Sequence, residues 1–155
     1  MIPAGFPDDV VARLLRRHVV TTSPRLEISS VVEVMRLGRL RALPVVDQAG
    51  MLRGSIAFVD CCDRIARVLK DDMSDRPLID RLQAALAVPV EAVMTSADQI
   101  EEIEAELTEV VQRLGDARWG HLCVIHPTPA GPKLIGLLTE SDLLRHLMLE
   151  GATSA

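Results

Sequence analysis

The residues best suited to chemistry are Thr139 and Asp142, within Gly136-Leu137-Leu138-Thr139-Glu140-Ser141-Asp142-Leu143-Leu144. The apolar run predicts a short buried strand, and Thr139 then turns the chain into a helix that starts near Asp142. Backbone N–H groups at a helix start are unpaired and point outward. A phosphate could rest on them beside the Thr139 hydroxyl, with Asp142 holding a ribose hydroxyl. The same spacing is also an ordinary helix cap, in which Thr139 accepts from the third amide and the carboxylate answers back. A second copy of the element shifts the balance between these readings.

That copy appears on tracing the elements that must carry these residues. Pro7 and the apolar positions Val10, Val11, Leu14 and Leu15 predict an amphipathic N-terminal helix. Its arginines, Arg13, Arg16 and Arg17, read as a solvated face or as a partner or phosphate contact. Val19-Val20-Thr21-Thr22 is β-prone, and Ser30-Val31-Val32-Glu33 has the form of a capping box opening a helix that stops near Gly38. Val31, Val32, Val34 and Met35 are its expected buried face. Leu43-Pro44-Val45-Val46 predicts a buried strand, Asp47-Gln48-Ala49-Gly50 a turn, and Gly54 to Asp60 a second strand running into a helix that continues through Leu69. A polar break at 71–75 leads to a short helix opened by Pro77.

The first half then returns. An offset of 79 carries Ile28, Val31, Val32 and Met35 onto Leu107, Val110, Val111 and Leu114, and Leu43-Pro44-Val45-Val46 onto Leu122-Cys123-Val124-Ile125. After the longer turn from His126 to Gly131 the offset is 82, carrying Gly54 onto Gly136 and Asp60 onto Asp142. A gap confined to a turn marks a structural duplication.

Two units with Leu-Pro-Val-Val-Asp, a turn, then Gly-x-x-x-x-x-Asp opening a terminal helix resemble the cystathionine-β-synthase (CBS) domain, which occurs in tandem. Val90-Glu91-Ala92-Val93-Met94-Thr95 looks like the lead-in of such a unit. The resemblance implies an α/β (α+β) fold of two β-α-β-β-α units packed sheet to sheet with pseudo-two-fold symmetry. It divides the chain into an N-terminal helix at 1–18, a first unit at 19–70, a connecting segment with a short helix at 71–88, a second unit at 89–150 and a tail at 151–155.

The resemblance also implies a regulatory, energy-sensing role, with clefts for AMP, ADP, ATP or S-adenosylmethionine and no required cofactor. Carried across, the nucleotide-binding set is Thr139, Ser141 and Asp142 with His121 in the second unit, and Asp60, Arg41 and Thr22 in the first. Ala57 stands where the first unit should have a hydroxyl, so a phosphate there loses a hydrogen bond worth about 1.5–3 kcal/mol. Residues 98–106 depart further. Ile100, Ile103 and Leu107 share a helical face with Val110, Val111 and Leu114, so local pattern favours one long helix where the family has its first strand.

Composition bounds the rest. The 155 residues are 48% hydrophobic and 25% charged, which is globular. A formal net charge of −5 without a basic block argues against nucleic acid or an anionic membrane, and two Phe, one Trp and no Tyr argue against a base-stacking platform. No apolar run approaches ~18 residues and no basic signal region opens the chain, so a cytoplasmic protein is expected. Cys61, Cys62 and Cys123 read as free thiols without metal-ligand spacing, and no nucleophile–base–orienter set is present, so no enzyme is expected.

The expected protein is a regulatory module that forms a homodimer through the helices at 60–70 and 142–150 and reports nucleotide occupancy to a protein partner. The rival reading is a degenerate pair serving as a ligand-free dimerisation and interaction scaffold. Ala57 and the acidic stretch from Asp98 to Glu106 favour it.

Overall fold

A computed structural model describes residues 14–102 and 106–153, with side chains described through Leu149. The fold is mixed α+β, with five α-helices and two small sheets among the described residues. The chain forms two compact units, one of residues 20–96 and one of residues 1–19 with 97–155.

In the 20–96 unit, α1 (Ile28–Gly38) precedes an antiparallel hairpin of β1 (Ala42–Val46) and β2 (Leu52–Ala57). The hairpin turn is fixed locally, because Asp47 Oδ1 accepts from the Ala49 and Met51 amides at 3.0 Å each and Gly50 supplies a φ of +83°. α2 (Phe58–Asp71) and α3 (Leu78–Leu86) follow, then a single 3₁₀ turn at Val90–Ala92. Ile28, Val31, Met35, Leu43, Val45, Ile56, Cys61 and Val90 form the core.

Two sequence expectations change here. α1 begins at Ile28 behind Glu27, so Ser30 and Glu33 lie inside it and form no capping box; Glu33 instead pairs with Arg36 at 2.5 Å. Burying Ile28 sets the helix start, and Val34, expected inside, turns out to be exposed. The β-prone Val19–Thr22 contributes a single parallel bridge, Thr22 to Val45.

In the other unit, β3 (Gln99–Glu101) runs parallel to β4 (His121–Thr128), which pairs antiparallel with β5 (Gly131–Thr139). α4 (Leu107–Asp116) separates β3 from β4, and α5 (Glu140–Thr153) follows β5. The strand at 99–101 overturns the expected long helix over 98–106. Pairing Ile100 with Val124 buries it to 2% exposure, a gain that outweighs the helical pattern. Ile103 lies outside the described residues. The long turn also tightens, since β4 runs on through Thr128 and β5 starts at Gly131.

Leu14 and Leu15 pack on the core of this unit, formed by Ile100, Val110, Leu114, Leu122, Val124, Leu138 and Leu143. Of the helix expected over 1–18, residues 15–18 are not helical, because Arg16 instead bridges to β5, and residues 1–13 lie outside the described residues. Arg16 pairs with β5 by two backbone bonds, its N–H donating to Leu137 O at 2.8 Å and its carbonyl accepting from Leu137 N at 2.9 Å. Thr95 makes the same two-bond bridge to Ser55, at 2.8 Å in each direction, in the 20–96 unit.

Candidate functional site

The end of β5 and the start of β4 build one corner of the 97–155 unit, where His121 stands directly across from Thr139 in the ladder. Glu140 N donates to Gly120 O at 2.9 Å as the chain enters α5. Thr139 Oγ1 accepts from Asp142 N at 3.2 Å and donates to Asp142 Oδ2 at 2.7 Å. The residues expected to meet a sugar phosphate are therefore also the cap of α5. Ser141 lies beside them, exposed, in the first turn.

Asp142 has another partner. Arg16 grips it with two bonds, Nε to Oδ2 at 2.5 Å and Nη2 to Oδ1 at 2.8 Å. The Arg16 hydrogen bond is the largest cause holding the Asp142 carboxyl below its ordinary range, opposed by partial burial and helped by Thr139. A pocket of about 290 Å³ opens beside this pair, lined by Leu14, Leu15, Arg16, Asp142, Arg145 and His146.

Carboxylates and guanidiniums balance around the corner and its pocket, Asp98, Glu140 and Asp142 against Arg16, Arg118 and Arg145. Asp98 accepts from Arg118 N at 3.1 Å and lies 3.5 Å from its Nε. Gly120, at φ +71°, gives its side-chain space to Glu140, which an added Cβ would approach to 2.8 Å. Burial pushes the His121 imidazole below its ordinary value, with Asp98 pulling the other way. A neutral imidazole is a poor counter-ion for phosphate.

Arg41, through its backbone carbonyl, and Asp60, through its side chain, each bond the start of α2 in the 20–96 unit. Arg41 O accepts from Phe58 N at 2.8 Å, and an Asp60 carboxylate oxygen accepts from Ala57 N at 2.9 Å. Ala57 is the N-cap and has no hydroxyl to return, so this is half of a capping box. Thr22 lies apart from them. Its bridge to Val45 puts it three positions, or about 10 Å, along β1 from the Ala42–Ala57 pair. It lines instead a pocket of about 750 Å³ with Arg25, Asp47, Arg53, Glu91 and Met94.

Arg16 was not among the expected site residues. The repeat held the signal, since the 79-residue offset that matches the two halves also sets Leu14-Leu15-Arg16 on Val93-Met94-Thr95. Among the described residues no group of three or more His, Cys, Asp or Glu could hold a metal ion. Cys61, Cys62 and Cys123 are free, and burial pushes the Cys61 thiol up to about 11 and Cys123 to about 12. No helix among the described residues is long and apolar enough to cross a membrane.

The family model of the CBS domain matches residues 11–67 and 90–149, both halves of the repeat. The chain belongs to the CBS-domain family. Solved CBS-pair structures share its fold. Arabidopsis thaliana CBSX2 superimposes with a TM-score of 0.70 at 19% identity, covering 92% of this chain and 96% of that one. A structure of CBSX2 in complex with AMP gives 0.68 at 20% identity, over 91% and 97%. Protein MJ1225 of Methanocaldococcus jannaschii, described as a candidate archaeal homologue of γ-AMPK, gives 0.69 at 21% identity over 88% of this chain; the chain spans about half, 47%, of its length. No curated protein matches the chain in sequence. The CBS match places Thr139, Ser141 and Asp142 inside the second matched segment and Arg16 inside the first.

Proposed function

We propose that this CBS pair is a regulatory module, not an enzyme, that binds an adenine nucleotide or adenosyl ligand at the Thr139–Asp142 corner and signals through association. One observation carries the reading: Thr139 Oγ1 and the Asp142 carboxylate are locked together 2.7 Å apart, across the ladder from His121. A carboxylate in that setting accepts two ribose hydroxyls once it is uncovered, and the exposed Ser141 hydroxyl in the first turn of α5 is a donor for an anion, because the Thr139 hydroxyl is given to Asp142 and the Glu140 amide to Gly120. The CBSX2 structure with AMP supports the ligand class. In the 20–96 unit, Asp60 and Arg41 form a weaker counterpart because Ala57 lacks the hydroxyl.

Association is proposed through apolar side chains that α2 and α5 leave in solvent. Phe58 and Val59 on α2, and Leu144, Leu147, Met148 and Leu149 on α5, are all at least 43% exposed. A second copy of the chain is the proposed partner for each of these helices, and a ligand alters that contact only by binding its two states unequally.

Titration of the protein with AMP, ADP, ATP and S-adenosylmethionine while following thermal unfolding tests the reading. A ligand at 100 times its dissociation constant adds about 2.7 kcal/mol, and the Thr139→Ala, Asp142→Ala double variant should lose the response. No shift with any of the four would favour the ligand-free scaffold. The Arg16 grip on Asp142 is the observation on that side.

A further inference from the structure

Arg16 and Thr139 together take three of the four acceptor positions of the Asp142 carboxylate, which leaves one where a vicinal diol needs two. Oδ2 takes both Arg16 Nε and the Thr139 hydroxyl, and Oδ1 takes Arg16 Nη2. A ligand that sets both vicinal hydroxyls on the carboxylate must therefore displace the guanidinium. Displacement leaves a cation whose backbone stays tied to Leu137 by two hydrogen bonds, so the side chain remains at the corner. The Arg16 side chain is 56% exposed and the Asp142 side chain 13%, so the arginine is the member free to swing.

We propose that Arg16 is a specificity-determining residue that works by exchange: the ligand's vicinal hydroxyls replace it on Asp142, and the ligand's phosphate receives the guanidinium in return. This deepens, and rests on, the reading that the corner binds an adenine nucleotide. The requirement follows from pairing. A nucleoside alone satisfies Asp142 and strands Arg16; inorganic phosphate alone satisfies Arg16 and strands Asp142. A nucleoside monophosphate supplies both partners, and the bidentate match of two phosphate oxygens to the planar guanidinium makes arginine better than lysine at the position.

The surroundings narrow the choice. Arg118 is engaged by Asp98, so the second guanidinium of the corner is already held. Arg145 and His146 line the adjoining pocket and extend the positive side only a short way. Glu140 opposes additional negative charge, which favours one phosphate over three.

The test is calorimetric titration of AMP, adenosine and 2′-deoxy-AMP into the full chain and into its Arg16→Ala and Arg16→Lys variants, with circular dichroism confirming the fold of each. In the unaltered protein AMP should bind at least about tenfold more tightly than adenosine or 2′-deoxy-AMP, a factor equal to about 1.4 kcal/mol. In Arg16→Ala, adenosine should gain affinity because its carboxylate is uncovered, and AMP's margin over it should shrink to about threefold or less. Arg16→Lys should keep an intermediate margin. If both proteins bind AMP with the same margin over adenosine, exchange is wrong and the nucleotide reading stands. If neither binds any of the three, exchange falls, and the nucleotide reading falls with it where ADP, ATP and S-adenosylmethionine also leave thermal unfolding unchanged.

Discussion

Gly136 lies against Arg16 so closely that a Cβ on it would stand 2.6 Å from the Arg16 carbonyl oxygen. Gly54 meets the carbonyl of Thr95 at the same 2.6 Å, so each half of the repeat keeps a glycine where a lead-in segment crosses its strand. Backbone atoms cannot give way as a side-chain tip can. Gly136→Ala should therefore cost about 1–3 kcal/mol, the usual range for overpacking, and loosen the Arg16 bridge. Chemical denaturation checks the cost, and amide exchange at Leu137 checks the bridge; unaltered values for both would contradict the close approach.

The Arg16–Asp142 pair should make the protein acid-sensitive. Asp142 titrates below its ordinary 3.8 when folded, so its contribution to stability is complete above that value and drains away as pH falls through the lower, folded value. Asp142→Asn should flatten the loss of stability below about pH 4 relative to the unaltered chain. Denaturation series at pH 3 and pH 7, taken on both proteins, supply the comparison, and parallel curves would count against it.

His121 behaves in the same direction for a different reason. Burial lowers its folded pKa below the ordinary 6.5, so the unfolded chain binds the proton first and stability declines as pH falls from 6.5 toward the folded value. Imidazole resonances followed by NMR should titrate below 6.5 in the ligand-free protein. A midpoint above 6.5 would show that Asp98 outweighs burial.

Ala57→Ser should stabilise the 20–96 unit. Ala57 is the N-cap of α2 at φ −111° and ψ 156°, the backbone in which a cap hydroxyl reaches the third amide, and Asp60 already supplies the reciprocal bond. A gain of about 0.5–2 kcal/mol is expected by denaturation, whereas a loss would mean that the buried site has no room for an oxygen.

Ile100→Ala should cost about 2–5 kcal/mol, because the side chain is 2% exposed in the core of its unit, while Leu37→Ala, at 69% exposure, should fall within about ±0.5 kcal/mol. Equal effects would contradict the placement of β3.

The duplication was legible because its hydrophobic spacing is local and repeats: the strands at Leu43–Val46 and Leu122–Ile125 and the cap at Thr139–Asp142 appear where the pattern puts them. The strand at Gln99–Glu101 was not legible. Its residues fit a helical face, and only the edge of β4, more than twenty positions later, selects the extended form. The false capping box at Ser30–Glu33 failed for the same reason, since burial of Ile28 sets where α1 starts. Arg16 was read only with Arg13 and Arg17, as a solvated face or a partner or phosphate contact, because no local feature names a carboxylate 126 positions away.

The interleaving of the two units also orders events during synthesis. Arg16 leaves the ribosome well before Asp142, and at ~5–20 residues per second those 126 positions represent roughly 6–25 s of waiting. Residues 20–96 are complete in the meantime and can collapse around their own core. The segment carrying Arg16 is thus made early and docked late, and its seat on β5 closes only after residues 20–96 have been made.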